Sequence, residues 1–338
     1  VLILTPLAVA EQTIKEGKKF GITAHHAKDA STLEGGINVT NYEKLDLFDG
    51  IEFAGVVLDE SSILKNFSGK TRIALTERFS STPYRLCCTA TPSPNDFTEI
   101  GQHADFLGVC SPAQMLATYF INDTFDTGTW RLKGHAEKAF WKWLGSWAAC
   151  VSRPSDIGFS DEGYILPTLN LDTILVEVDE RGEGEELFKH ATLSATTMHR
   201  ELRETAKHRS KAVADLVNDS KEPWVVWCNT NLEADELKAI IPDAIEIRGS
   251  DTPEKKEKRL EAFSSGDARV IISKPSICGY GLNWQHCRNV AFVGLSYSFE
   301  DFYQALRRSY RFGQKKKVNA YIVQARTEGA ILQAITKR

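Results

Sequence analysis

The stretch Val56-Val57-Leu58-Asp59-Glu60-Ser61-Ser62 runs from an unbroken apolar segment straight into two adjacent acids. A short, β-branched run with no alternation reads as a strand covered on both faces, the kind found in parallel sheets. In such sheets ligands are met beyond the carboxyl ends of the strands. The same seven residues therefore set a fold class, parallel α/β, and place Asp59 and Glu60 where a ligand would sit.

Working outward, the first half repeats the pattern. Val1–Thr5, Ile37–Thr40, Gly55–Leu58 and Arg85–Thr89 are short apolar or β-branched runs, separated by polar, helix-compatible stretches, as in repeated βα units. The rhythm breaks from about Cys110 to Leu166, where Trp130, Trp141, Trp143 and Trp147 fall in a stretch with helical spacing around Ala136–Cys150; a mostly helical insertion is expected there. Packing among these aromatics is the expected use, and stacking on nucleic-acid bases is the alternative. The alternation then resumes with strands expected at Leu171–Val178, Trp224–Cys228, Ala244–Ile247, Val270–Ser273, Val290–Val293 and Ala320–Val323, and a helix at Pro253–Phe263 with proline in its first turn. Two α/β domains are expected, one over 1–168 with the insertion at about 110–166, the other over 169–338.

Composition agrees with two globular cores: 338 residues, 42% hydrophobic and 25% charged. No apolar run reaches the roughly eighteen residues of a membrane span, and no signal peptide is recognisable. A cytoplasmic protein is expected. The seven cysteines form no C-x-x-C pair, which fits free thiols rather than a zinc site. The net charge is −4, so contact with nucleic acid would need a local basic face.

Three further stretches carry candidate chemistry. Thr89-Ala90-Thr91-Pro92 follows a strand with two hydroxyls before a proline, a polar hinge or a plain loop. Gly279-Tyr280-Gly281-Leu282-Asn283 offers glycines that let backbone approach a phosphate closely, or a simple turn. Gln304-Ala305-Leu306-Arg307-Arg308-Ser309-Tyr310-Arg311-Phe312-Gly313-Gln314 is the most specific. Gln304, Arg308 and Arg311 stand at i, i+4 and i+7 and would share one helix face. Arginine presents a fixed fork of donors that suits phosphate. A solvated basic face would explain Lys315–Lys317 but not the glutamines. At the strand end, Asp59 could hold Mg²⁺ through water, and Glu60 could take the proton of an attacking water.

In chain order, TPLAVAEQ, VTNYE, LDESS, CTATP, VVWC, GYGLN and QALRRSYRFGQ resemble the helicase motifs Ia, Ib, II, III, IV, V and VI. The R-x-G-Q ending, Lys65-Asn66, and Thr327-Glu328 before Ile331-Leu332 resemble the Swi/Snf branch of superfamily 2 helicases of the DEAD/DEAH type. The tryptophan-rich stretch and SKPSICGYGLNWQHC resemble its phage and prophage members. The resemblance implies two RecA-like lobes, with ATP and Mg²⁺ between them. It gives Asp59 and Glu60 the Mg²⁺ and water-activating roles, Thr89 and Thr91 the coupling of hydrolysis to lobe movement, and Gly279, Gly281, Asn283 and Gln304 contact with nucleotide. It makes Arg308 and Arg311 arginine fingers, and Thr5, Pro6, Thr40, Asn41 and Tyr42 trackers of the nucleic-acid backbone.

Three departures stand out: Ser62 where many relatives have histidine, Arg307 where the branch has aspartate, and no Walker A loop. Ser68-Gly69-Lys70-Thr71 lacks the required earlier glycine, since Leu64 stands there, and follows motif II instead of preceding it. The resemblance would put Walker A upstream of Val1, where the chain opens in mid-strand without methionine. An N-terminally shortened chain, feeble alone as an ATPase, is the corresponding expectation. The implied function is an ATP-dependent DNA translocase or helicase motor acting without sequence preference in a bacterial host, beside phage or host replication, recombination or restriction proteins. The alternatives are the motor subunit of a restriction system, or a non-catalytic DNA- or protein-binding scaffold of the same fold.

Overall fold

The computed structural model describes residues 1–6, 9–122, 130–177, 200, 202–278, 282–296 and 298–325. Its first sheet is built outward from β1 (Leu2–Thr5), which carries the order β2 (Ala24–His26), β3 (Ile37–Asn41), β1, β4 (Gly55–Asp59), β5 (Tyr84–Cys88). Every neighbouring pair is parallel. From β1 the chain winds to one side through β2 and β3, then returns to the other side for β4 and β5. The winding therefore reverses at β1, the place where such sheets leave a crevice for ligands. Thr5, Asn41 and Asp59, the last residues of β1, β3 and β4, all end there.

One face of this sheet buries Leu2, Leu4, Val56 and Leu58 against Leu75, Phe79 and Phe106. These come from helices Lys70–Arg78 and Ile100–Leu107 and the residue capping the first. The other face meets helix Ala10–Lys19, whose Ala10 and Ile14 lie on Val39. The expectation that each strand is covered on both faces fails at β5: Tyr84 is 76% and Leu86 53% exposed. β5 is the last strand of its sheet among the described residues, and Tyr84 and Leu86 alternate with Cys87, which packs on the core, and so point to the opposite face. Strand β2 has no counterpart in the sequence reading, because Ala-His-His contains no apolar run.

The tryptophan-rich stretch is less helical than expected. Helix Pro112–Tyr119 leads into an antiparallel ribbon of β6 (Phe120–Asn122) and β7 (Trp130–Leu132), followed by helix Glu137–Leu144. The ribbon forms because Phe120 and Leu132, opposite each other in its register, face a satellite core around the fully buried Phe140. Tyr119, Phe120 and Trp143 surround Phe140 with ring centroids 5.6, 5.5 and 5.7 Å away, and Trp143 meets Trp147 edge-on at 5.3 Å. These aromatics pack on one another; of the four tryptophans, Trp141 is the most exposed, at 43%.

The second sheet has the order β10 (Ala244–Glu246), β11 (Val270–Ser273), β9 (Trp224–Cys228), β12 (Asn289–Val293), β13 (Val318–Ala325), β8 (Leu169–Val176), again all parallel. Both faces are covered: Val225, Trp227, Ile271 and Phe292 pack around Trp284, and Val226, Ile272 and Val293 pack against Val213 and Leu237. The chain divides into two compact units, Val1–Ile157 and Gly158–Arg338. Within the second, the fully buried Arg209 pairs with the fully buried Glu233 at 2.7 Å. The guanidinium also donates to the carbonyls of Val293 and Leu202 at 2.7 and 2.6 Å, and Glu233 accepts the amides of Asn229 and Thr230 at the start of helix Asn231–Ile240. Among the described residues no helix is long and apolar enough to cross a membrane.

Candidate functional site

In the first unit the site begins where β4 stops. Asp59 is its last residue, and Glu60 takes φ 54° and ψ 52°, left-handed backbone. It is the one non-glycine residue with positive φ among those described, a conformation that costs a side-chain-bearing residue about 1–3 kcal/mol. The chain then tightens into a 3-10 turn, Ser61–Lys65, with Ser61, Ser62 and Leu64 buried. Tyr42 donates its hydroxyl to the Asp59 carbonyl at 2.8 Å. Burial first, and the charge of Asp59 second, push the Tyr42 phenol well above its usual range, so it stays a donor. Ser61 Oγ lies 3.2 Å from His103 Nε2 on helix Ile100–Leu107. Burial holds the imidazole below its usual range. The Cys87 thiol, pushed up to about 12 by burial, hydrogen-bonds Ser61 as well.

Burial raises the proton affinity of the Asp59 carboxyl, and a bond from the Glu60 backbone only partly offsets this. A half-buried carboxylate in that condition suits a hard cation. No group of three or more His, Cys, Asp or Glu side chains could hold a metal among the described residues. Asp59 would be the residue here to hold Mg²⁺, an ion that keeps much of its water and needs few protein ligands.

The residues expected to track a nucleic-acid backbone gather at the ends of β1 and β3 and bond to one another. Asn41 Nδ2 donates to Thr5 Oγ1 at 3.4 Å and to the Pro6 carbonyl at 3.1 Å, and Thr5 Oγ1 donates to the Thr40 carbonyl at 3.3 Å. Thr5 and Thr40 are fully buried, Asn41 and Tyr42 nearly so. Of the five, Pro6 is the least enclosed. After β5, the Thr91 amide donates to Thr89 Oγ1 at 3.1 Å, closing a local turn with Thr91 buried. Lys70 is exposed at the start of its helix. The chain before it turns on Asn66, whose Oδ1 accepts the Ser68 amide at 3.2 Å, and Gly69 has an ordinary φ of −65°. Ser68–Thr71 forms the turn that leads into helix Lys70–Arg78, closed by the Gly69 amide on the Asn66 carbonyl at 3.0 Å.

The second unit corrects the geometry expected for its arginines. The helix carrying Gln304 is Phe299–Leu306, and it ends before either arginine of the pair. Arg308 folds back on the helix end, its Nε donating to the Gln304 carbonyl at 2.9 Å and its Nη2 to Gln304 Oε1 at 2.9 Å. A guanidinium thus occupies the Gln304 carbonyl, an acceptor that a further helical turn would have used. The residues still converge: Arg308 and Arg311 both donate to the Leu282 carbonyl, at 3.1 and 3.2 Å. Arg308 is buried and Arg311 half-buried. Gln314 holds the end of the segment, donating to the Gln285 carbonyl at 2.9 Å after Gly313 turns left-handed at φ 91°. Arg307 lies over the rings of Tyr303 and Tyr310, 5.6 and 5.8 Å from their centroids. The Oδ1 of Asn283 is buried without a hydrogen-bond partner among the described residues. Gly279 and Gly281 lie outside the described residues, as do Thr327, Glu328, Ile331 and Leu332.

The sequence reading passed over His103. Its signal was present: Ile100, His103, Ala104 and Leu107 occupy one helical stripe, and a histidine in an apolar stripe needs a buried partner. Here that partner is Ser61, two residues past Asp59.

Residues 208–313 match the family described as the helicase conserved C-terminal domain. Over 93 residues the chain is 33% identical to the TATA-binding protein-associated factor mot1 of Schizosaccharomyces pombe, a stretch that is 27% of this chain and 5% of that protein. A solved structure, the C-terminal part of the Fun30 ATPase domain, is 21% identical, covers 38% of this chain and is itself covered over 45%, with a TM-score of 0.35. The second unit is therefore similar to helicase C-terminal domains, and the two parallel α/β sheets are those of RecA-like architecture.

Proposed function

We propose that this chain belongs to the motor of an ATP-dependent DNA translocase of the Swi/Snf-like kind. Asp59 holds Mg²⁺ through water, and Glu60 takes the proton of the water that attacks the terminal phosphate. Arg308 and Arg311 supply positive charge to the phosphoryl oxygens as they develop charge, and Thr89 and Thr91 couple hydrolysis to movement. Bound Mg²⁺ would neutralise phosphate charge at Asp59. Nucleotide contact falls to Gln304, Asn283, Gly279 and Gly281. The observation that carries the reading is the convergence of Arg308 and Arg311 on the Leu282 carbonyl, inside the region matching helicase C-terminal domains.

DNA would be held by its phosphates near Pro6 and the ends of β1 and β3, without sequence preference and with strong dependence on salt. The mot1 likeness, confined to a twentieth of that protein's length, supports the motor reading without extending to its partners.

The test is ATP hydrolysis by the natural polypeptide that contains these residues, with and without duplex DNA. Turnover should rise with DNA, and Glu60→Gln should lower it by about 100-fold or more. DNA binding that ignores ATP, with no hydrolysis at all, would mean a binding scaffold instead.

A further inference from the structure

We propose that Tyr42 and His103 are positioning residues that hold Glu60 in its left-handed conformation and so aim its carboxylate. The inference rests on the reading of Glu60 as the group that activates water.

Two planar peptide groups flank residue 60, and fixing both leaves its φ and ψ no freedom. The carbonyl of the first, at Asp59, accepts the Tyr42 hydroxyl at 2.8 Å. The carbonyl of the second, at Glu60, accepts the Ile63 amide at 3.3 Å. Ser61 is anchored in turn: it is fully buried, and its hydroxyl lies 3.2 Å from His103 Nε2. The brace therefore draws on two elements outside β4, the 3-10 turn that begins at Tyr42 and helix Ile100–Leu107. Tyr42 and His103 are 9% and 5% exposed, so each brings a polar atom into the interior at a desolvation cost and spends it beside this turn.

Removing either anchor lets residue 60 relax toward right-handed backbone, which swings its Cα–Cβ bond and moves the carboxylate. A displacement of about 1 Å at a reacting group can cost on the order of 100-fold in rate. A leucine at 103 fills the space without a polar atom; a glutamine returns one near the position of Nε2.

The experiment compares Tyr42→Phe, His103→Leu, His103→Gln and Glu60→Gln in the natural polypeptide, with ATP and saturating duplex DNA. It reads kcat, KM for ATP, the thermal midpoint, and hydrogen exchange of the Ile63 amide. Expected are a fall in kcat of about 10-fold or more for Tyr42→Phe and His103→Leu with KM little changed, faster Ile63 exchange, and recovery of most of kcat in His103→Gln. If Glu60→Gln is inactive while Tyr42→Phe and His103→Leu keep full kcat and slow exchange, the brace is refuted and the reading of Glu60 stands. A kcat loss that follows the thermal midpoint and is not restored by glutamine also refutes the brace. If Glu60→Gln hydrolyses ATP at the wild-type rate, the functional reading itself falls, and unchanged Ile63 exchange in the other variants would then dispose of the brace too.

Discussion

In the second sheet β13 has a neighbour on each side, β12 and β8; in the first, β5 has β4 alone among the described residues. The two strands hold the same place in the winding, because β1 to β5 and β9 to β13 follow the same path of centre, far side, near side, return. Their side chains fare differently. Ala320, Ile322 and Val323 of β13 are buried, whereas Tyr84 and Leu86 of β5 stand in solvent. Apolar content alone does not decide burial: Ala320 and Ile322 lie in the core around Trp284 and Val323 in the core of the opposite face, whereas Tyr84 and Leu86 alternate with Cys87, which packs on the core of the first sheet.

The same correspondence pairs β4 with β12, and each is followed by a left-handed residue, Glu60 at φ 54° and Gly294 at φ 75°. In the second unit the position is glycine, and a Cβ there would come within 2.5 Å of the Arg209 guanidinium. In the first unit the turn keeps a side chain at the expense of strain. The left-handed turn thus recurs at the same place in both windings, once with glycine and once with a carboxylate.

The largest effect that could break this comparison lies at the Arg209–Glu233 pair. Arg209→Leu leaves Glu233 buried without its partner and should destabilise the second unit by about 3–5 kcal/mol, read from chemical unfolding. Next comes the strand pair: Ile322→Ala in β13 should cost about 2–5 kcal/mol, while Leu86→Ala in β5 should cost under about 1 kcal/mol. Equal losses would mean that β5 is covered as β13 is. Smaller than the Arg209 and Ile322 effects is that of Glu60→Gly, which removes the strain of a side chain at positive φ and should raise the unfolding free energy by about 1 kcal/mol while abolishing hydrolysis.

Much of this was legible in the sequence where buried strands are continuous. Trp224–Cys228 and Val270–Ser273 appear as read, and β4 gained only Asp59. The two-sheet α/β class followed from those runs. What escaped was decided by tertiary context. Strand β2 is polar, the ribbon of β6 and β7 hides among aromatics with helical spacing, and helix Phe299–Leu306 stops short because Arg308 turns back on it. At the candidate site, residue types and spacing pointed to Asp59, Glu60 and the arginines and to their chemistry, whereas the roles of Thr5, Pro6, Thr40, Asn41 and Tyr42 came from resemblance alone. His103 and the backbone of Glu60 could be found only once the interior was visible.

On the proposed function, Glu60 and Arg311 both act in the transition state of ATP hydrolysis. The most direct measurement is a double-mutant cycle on DNA-stimulated phosphate release, with Glu60→Gln, Arg311→Ala and the pair combined. Groups acting as one unit lose their effect together, so the double variant should be no slower than the slower single. Losses that multiply, each substitution slowing release by its full factor regardless of the other, would contradict the account.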